Sequence, residues 1–227
     1  MLTNVISLVP KLVEVQEFIN WNDVDLACIT ETWLKNEISE SVVNIPDYTI
    51  IRRDRQTDSH GGVCLYIRDN IGLKYQLLDD IKCCDQHEIL WVHLKPKRLP
   101  RGFSCIVLVV VYHPRQSTAN DNSLRECLFD SLTKVEARLP SCALIICGDF
   151  NRFNTNSLTN HFRMKQIVKA PTRNDATLDL IITNLQAFYN DPATFPPFGL
   201  SDHATVLVNQ RTRAKTPKST QYILKTL

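Results

Sequence analysis

Ala143-Leu-Ile-Ile-Cys-Gly-Asp-Phe-Asn151 is the stretch on which the reading of this chain turns. An apolar run of strand length ends on a glycine, and two polar residues follow, two positions apart. Glycine lets the backbone turn sharply where a buried strand stops, so Asp149 and Asn151 can face one side of the turn. An aspartate placed there can take a proton from water, and an amide can hold that water or a phosphate oxygen. An Asx turn that merely ends a strand reads these four residues equally well.

The same arrangement recurs along the chain. Asp25–Thr30 runs into Glu31, and Ser104–Val111 runs into Tyr112. Asp179 sits in Thr177-Leu-Asp-Leu-Ile-Ile182, while Ser201-Asp202-His203 precedes the strand-like Ala204–Val208. Glu31, Tyr112 and Asp149 therefore stand at or just past the ends of strands, Asp179 and Asp202-His203 at or just before the beginnings. The two groups can share one rim only if the second set of strands runs antiparallel to the first. That predicts mixed or antiparallel sheets and excludes a doubly wound, all-parallel one.

The remaining segments supply the frame. Pro10–Asn20 has helical apolar spacing, and Leu124–Leu139 carries Leu124, Leu128, Leu132, Val135 and Leu139 every three or four residues, as a crossover helix into Ala143–Cys147 would. Tyr48–Ile51, Val63–Ile67 and Ile89–Leu94 read as strands. Glu31–Lys35 reads as a loop or short helix, Arg52–His60 as a polar loop ending at Gly61-Gly62, and Asn156–Phe162 as a short helix or turn. The last two strands are separated by a loop containing Pro192, Pro196 and Pro197.

At 227 residues, one α/β domain is favoured over two small ones. No apolar run approaches the roughly 18–20 residues needed to cross a bilayer, and no basic segment followed by an apolar one marks a secretory signal. Of the eight cysteines, Cys28, Cys105 and Cys147 lie inside apolar runs, where cysteine behaves as a small hydrophobe. The pattern suits reduced thiols in an intracellular protein. The net charge is +2, yet no acidic residue follows Asp202, whereas Arg211, Arg213, Lys215, Lys218 and Lys225 do; without those five the body holds 21 basic against 24 acidic residues. A globally basic nucleic-acid surface is not evident, and the tail reads as a solvated linker more readily than as a phosphate-binding arm.

Hydrolysis of a phosphodiester needs a hard cation on the phosphoryl oxygens, a positioned base for water, and a donor to developing charge. Glu31 suits the first need, Asp149 with Asn151 the second, and a protonated His203 the third. Asp179, costly as a free carboxylate in an apolar strand, suits a partner for His203, and Tyr112 suits a hydrogen bond to phosphate. Singly, each has a commoner structural explanation: surface glutamate, Asx turn, buried acid–histidine pair, packed tyrosine. Their joint order is what carries the chemistry.

That order resembles the endonuclease/exonuclease/phosphatase family, and within it the apurinic-type endonuclease domain of non-LTR retrotransposons. The blocks are Ile29-Thr-Glu-Thr-Trp-Leu34, His60-Gly-Gly-Val63, Val111-Tyr-His-Pro114, Cys147-Gly-Asp-Phe-Asn151, Ala170-Pro-Thr-Arg173, Thr177-Leu-Asp-Leu-Ile-Ile-Thr-Asn184 and Leu200-Ser-Asp-His203, spread over about Thr3 to Val208. The resemblance implies an α/β fold of two mixed or antiparallel sheets packed as a sandwich and flanked by helices, with residues 1–209 as the domain and 210–227 as a basic linker. It implies a divalent metal, Mg2+ or Mn2+, at Glu31, Asn4 and Asp202. It further implies Asp149 as activator of water, Asn151 as its positioner, Asp179 as orienter of His203, His203 as stabiliser of the transition state, and Tyr112, Asn4 and Thr172 as contacts to DNA. The implied activity is nicking of DNA in a nuclear setting, the 3′ hydroxyl priming a reverse transcriptase domain of the parent element that this chain does not contain. A same-fold phosphatase or phosphodiesterase on a small or lipid substrate, and an inactive relic that only binds nucleic acid, are the alternatives. Two departures stand out. Only Met1-Leu2-Thr3 precedes Asn4, which predicts a truncated first strand with exposed sheet edges, and Asn4-Val-Ile-Ser7 has isoleucine where many relatives carry arginine.

Overall fold

Cys105–Tyr112 reads Cys-Ile-Val-Leu-Val-Val-Val-Tyr because both of its faces are covered. Val107, Val109 and Val111 pack with Leu124, Leu128 and Leu132 of a helix, while Leu108 and Val110 pack with Leu2, Cys28 and Leu65 of a second sheet. Burial of one such side chain stabilises the fold by about 1.5–3 kcal/mol. The computed structural model describes residues 1–55, 60–81, 86–114 and 118–211. Its elements are β1 (Leu2–Asn4), α1 (Leu12–Trp21), β2 (Leu26–Thr30), β3 (Tyr48–Arg53), β4 (Val63–Arg68), β5 (Lys74–Leu77), β6 (Glu88–Lys95), β7 (Cys105–Tyr112), α2 (Thr118–Arg138), β8 (Cys142–Asp149), α3 (Asn156–His161), β9 (Lys165–Gln166), β10 (Asp179–Thr183), β11 (Ala193–Phe195) and β12 (Thr205–Leu207).

These strands form two six-stranded sheets, β11-β12-β1-β2-β4-β3 and β5-β6-β7-β8-β10-β9. Both are mixed, as expected. In the second sheet β7 and β8 are parallel, joined through α2, while β10 runs antiparallel to β8. In the first, β1 and β2 are parallel and β12 is antiparallel to β1. The sheets pack face to face over one apolar core. Val15 and Ile19 of α1 cover the outer face of the first sheet against Ile29 and Tyr66, and α2 and α3 cover the second. The result is a sandwich of two mixed sheets flanked by helices.

Four differences from the sequence reading have physical causes. β1 is short, as expected, but it opens no edge: it lies between β12 and β2, with Leu2 1% exposed and Thr3 and Asn4 fully buried. Thr3 Oγ1 lies 3.0 Å from Thr205 Oγ1 across this joint. β5 was not legible because every residue of Lys74–Leu77 is exposed, so no alternation marks it. β11 lies in the segment read as a proline loop; Pro192 and Pro196 flank it, and it pairs only through β12. Finally, α2 begins at Thr118, before its apolar period starts, because its first turns are polar. Past the expected boundary at 209, Gln210 still bridges Tyr189 and the Arg211 amide donates to the Phe188 carbonyl at 2.9 Å. Residues 212–227, which hold most of the basic tail, lie outside the described residues, as do Cys83 and Cys84. The other six cysteines are buried free thiols. Among the described residues no helix is long and apolar enough to cross a membrane.

Candidate active site

The end of β8 is where three of the expected residues fall into one row. Asp149 is the Cα partner of Tyr112 on β7 and of Asp179 on β10. Gly148 makes that closeness possible: its φ is 151°, and a Cβ built on it would overlap the Val111 carbonyl. Beyond the strand, Asn151 takes a left-handed φ of 49°, which asparagine tolerates. Its amide N–H donates to Asp149 Oδ1 at 2.9 Å, and its side-chain Nδ2 donates to the His113 carbonyl at 2.8 Å. The Asx turn is therefore present, and it is also what aims the Asp149 carboxylate. His113 is anchored in turn by Nε2, 2.7 Å from Asp121 Oδ1 on α2.

The first sheet brings its own residues to the same place. Asn4 and Thr30 are partners at the ends of β1 and β2. Asn4 Nδ2 reaches across the sandwich to Asp149 Oδ2 at 3.0 Å and also approaches Glu31 Oε1 at 3.4 Å. Glu31, just past β2, is held in a left-handed φ of 51°, uncommon for a residue of its size. Its carboxylate accepts from Tyr112 Oη at 2.8 Å and from Trp33 Nε1 at 3.2 Å. Ser201 Oγ donates to the Asn4 carbonyl at 2.7 Å and so ties the loop before β12 to β1.

His203 completes the group. Its Nδ1 lies 2.7 Å from Asp179 Oδ2, and its Nε2 lies 3.9 Å from Asp149 Oδ2 and 3.7 Å from Asp202 Oδ1. Burial acts to lower the imidazole pKa, but the hydrogen bond and charge of Asp179, together with Asp149 and Asp202, outweigh it and raise the value above the ordinary one. Burial, then the neighbouring Asp179 charge, pushes the Asp149 carboxyl up to about 7, against the opposing effects of His203, Asn151 and Asn4. Burial and the Glu31 carboxylate likewise raise the Tyr112 phenol.

The structure thus brings Asn4, Glu31, Tyr112, Asp149, Asn151, Asp179 and His203 together. Two expected residues stand differently. Asp202 was expected with Glu31 and Asn4, but its carboxylate is half-exposed on the His203 side, 2.6 Å from Arg173 Nη2. Thr172 was expected at the DNA backbone; it is 2% exposed, and its hydroxyl oxygen accepts the amides of Leu178 and Asp179 at 3.0 Å each. It lies inside the site's wall, holding the entry to β10, where the turn closed by the Arg173–Ala176 bridge leads back into that strand. Trp33 and Ser201 were given no role in the sequence reading, although both lie inside quoted motifs; their contacts depend on the left-handed turns beside them.

The oxygen-rich donors fit a hard dication. Asp149 and Glu31 face one another across the single amide nitrogen of Asn4, and burial with the Asp179 charge pushes the Asp149 carboxyl up to about 7. Glu31 beside Asp149 would hold Mg2+ or Mn2+ there through carboxylate oxygens, whereas Asn4, expected as a ligand, turns its NH2 to both acids and its Oδ1 to the Ile6 amide. Asp149, Asp179 and His203 also have donor atoms within 4.8 Å of one another. There, however, His203 Nδ1 is already engaged by Asp179 Oδ2 at 2.7 Å, which suits the pair to handling protons, while the buried Asp179 Oδ1 has no hydrogen-bond partner among the described residues.

Fold and rim define a class: a two-sheet α/β sandwich with carboxylates, amides and a histidine–aspartate pair converging from both sheets. The family model described as the Endonuclease/Exonuclease/phosphatase family matches residues 3–203, and the chain belongs to that family. Among solved structures, an AP endonuclease (LMAP) from Leishmania major is similar at a TM-score of 0.75 and 14% identity, covering 93% of this chain and 87% of that one. The endonuclease domain of TRAS1, a telomere-specific non-LTR retrotransposon, is similar at 0.65 and 15%, covering 92% and 96%. A 3'-5' exonuclease (NExo) from Neisseria meningitidis is similar at 0.64 and 15%, covering 92% and 98%. At these identities the likeness establishes the shared fold. No curated protein matches the chain.

Proposed function

We propose that the chain is a divalent-metal-dependent endonuclease domain of non-LTR retrotransposon origin that nicks DNA by hydrolysing a phosphodiester bond. The observation that carries this reading is the convergence on Asp149 of Asn4 from one sheet and of the Asp179–His203 pair from the other side. A hard dication beside Glu31, Asn4 and Asp149 would polarise the phosphoryl oxygens. Asp149, with its pKa near 7, is matched to taking the proton of an attacking water. Asn151 has its NH2 engaged by His113 and offers that water its amide oxygen. Asp179 fixes Nδ1–H of His203, which leaves Nε2–H to donate to a phosphate oxygen as charge develops. Tyr112, kept protonated by its raised pKa, donates to the same phosphate or to Glu31. Asp202, through Arg173, braces the loop carrying His203.

The fold shared with the TRAS1 endonuclease domain and the quoted motifs support the retrotransposon setting. In it, the nuclease runs through Arg211, which still pairs with the body, the basic segment after it links to a reverse transcriptase of the parent element, and the substrate is nuclear DNA. A supercoiled-plasmid assay tests the reading. Wild type should yield relaxed circles with Mg2+ and none with EDTA, and Asp149→Ala or His203→Ala should slow nicking by about 10²–10⁴-fold. Absence of relaxed circles from wild type, or variants that nick at the wild-type rate, would sink it.

A further inference from the structure

Lys11 is a buried charge that the constellation around Asp149 leaves unexplained. It is 8% exposed and stands at the N-terminus of α1, where the helix dipole opposes a cation. Among the described residues its ammonium bonds to two main-chain carbonyls and to no carboxylate. Burial lowers its pKa, with Glu14 opposing. A buried cation without an acidic partner costs stability, so its place in the fold calls for another explanation.

The two carbonyls are those of Val5 and Ile6, in the turn that follows Asn4. A peptide plane is rigid and trans, so fixing its C=O on one side fixes the N–H of the next residue on the other. The Val5–Ile6 plane carries the Ile6 amide, which donates to Asn4 Oδ1 at 3.2 Å. The Ile6–Ser7 plane carries the Ser7 amide, which donates to the Glu31 carbonyl at 2.9 Å. Ile6 and Ser7 hold φ of 44° and 77°, a costly conformation for a β-branched residue, so this turn needs support from outside. With its Oδ1 engaged, Asn4 presents Nδ2 to Asp149 Oδ2 at 3.0 Å and to Glu31 Oε1 at 3.4 Å. Gly199 lies against the lysine stem, where a Cβ would stand 3.1 Å from Lys11 Cε.

We propose that Lys11 is a positioning residue of this site: its ammonium holds the two peptide planes after Asn4 and, through the Ile6 amide, sets which end of the Asn4 side chain meets Asp149 and Glu31. The inference rests on the phosphodiesterase reading above, in which Asp149 activates water. Linked hydrogen bonds polarise one another, so a cation on the Val5 carbonyl also strengthens the Ile6 amide as a donor to Asn4. Without it the planes can turn and the Asn4 amide can rotate, bringing its oxygen against two carboxylates. The ammonium is enclosed on the carbonyl side of the turn, so its loss falls on the chemical step rather than on substrate binding.

The test compares wild type, Lys11→Met, Asn4→Ala and the double variant in the plasmid-nicking assay, together with NMR spectra of the asparagine side-chain amides. Methionine keeps the buried stem and removes the charge and its donors. Lys11→Met should lower kcat about tenfold and leave KM within about twofold. It should slow Asn4→Ala by less than about twofold, because the lysine acts through Asn4. The Asn4 NH2 signals, assigned by their loss in Asn4→Ala, should exchange with solvent at least about tenfold faster in Lys11→Met, while the backbone signals stay dispersed. Lys11→Gln, neutral and one atom shorter, is read in the same way, so the outcome does not hang on one replacement folding. Equal slowing by Lys11→Met in both backgrounds, or unchanged Asn4 exchange, would overturn the inference. So would a reduced salt slope of DNA binding, which marks a direct phosphate contact. If wild type does not nick, the nuclease reading falls, and the exchange readout still decides whether Lys11 sets Asn4; if wild type nicks and Lys11→Met is indistinguishable from it, only the Lys11 inference is lost.

Discussion

The two sheets bring residues to the rim by different means. On the second sheet, Tyr112, Asp149 and Asp179 are neighbours in one ladder row, so the same backbone register that builds the core also sets the spacing of these side chains. On the first sheet, only Asn4 sits on a strand. Glu31 and His203 stand just outside strands: Glu31 is placed by a left-handed backbone and by hydrogen bonds from Trp33 and Tyr112, and His203 by the bond between its Nδ1 and the Asp179 carboxylate. One half of the site is as rigid as the fold, and the other is held by a few polar contacts worth about 0.5–1.5 kcal/mol each. Damage to the first half should therefore appear as lost stability, and damage to the second as lost activity in a protein that still folds.

Gly148→Ala should give the largest effect on the ladder-built half. It places a Cβ in the Val111 carbonyl at a φ that side chains rarely adopt, separating β7 from β8, at a cost of about 3 kcal/mol or more. Chemical denaturation measures it, and a loss under about 1 kcal/mol would mean that the close approach is not required. Ser201→Ala removes the bond to the buried Asn4 carbonyl and should cost only about 1–2 kcal/mol while lowering nicking by about tenfold, a ratio opposite to that of Gly148→Ala. Equal stability losses in the two variants would erase the distinction between the halves.

The smallest effect is on pH dependence. Asp149 has a folded value of about 7 against an ordinary 3.8, so in that window the native state keeps a proton that the unfolded chain has released, and stability falls as pH rises. His203 is raised as well; what its protonated form contributes is complete below its unfolded value and is lost as pH rises through the folded one. Both act in the same direction. In EDTA, the melting temperature should drop between pH 6 and pH 8, and Asp149→Asn should flatten the curve. A melting temperature that rises with pH, or an unchanged slope in the variant, would contradict this electrostatic picture.

Legibility in the sequence follows the same division. Gly148-Asp149 and Thr177-Leu-Asp179 were readable because long apolar strands announce their own ends, and a shared rim for Asp149 and Asp179 required antiparallel strands, as β8 and β10 are. Asn151 was readable as an Asx turn but not as a residue tied to His113, since that contact joins two loops. Trp33 and Ser201 were within view but carried no signal, because left-handed turns such as the one at Glu31 change where neighbouring side chains go. Thr172 shows the converse: a threonine in a polar motif looks like a surface contact until β10 closes over it. β5, β9 and β11 were missed because edge strands lack the alternation that burial on one face imposes.

By itself, the sequence determined the apolar strands, the polar residues at their ends and the motif order that marks the family, because apolar period and residue order belong to the chain and survive without coordinates. The tertiary structure alone decided that β1 lies inside a sheet, between β12 and β2, and that Asn4 crosses to Asp149. It alone decided that Arg55 lies over Tyr112. Those contacts join segments 50 to 150 residues apart, and their energies depend on burial that only the packed sandwich creates.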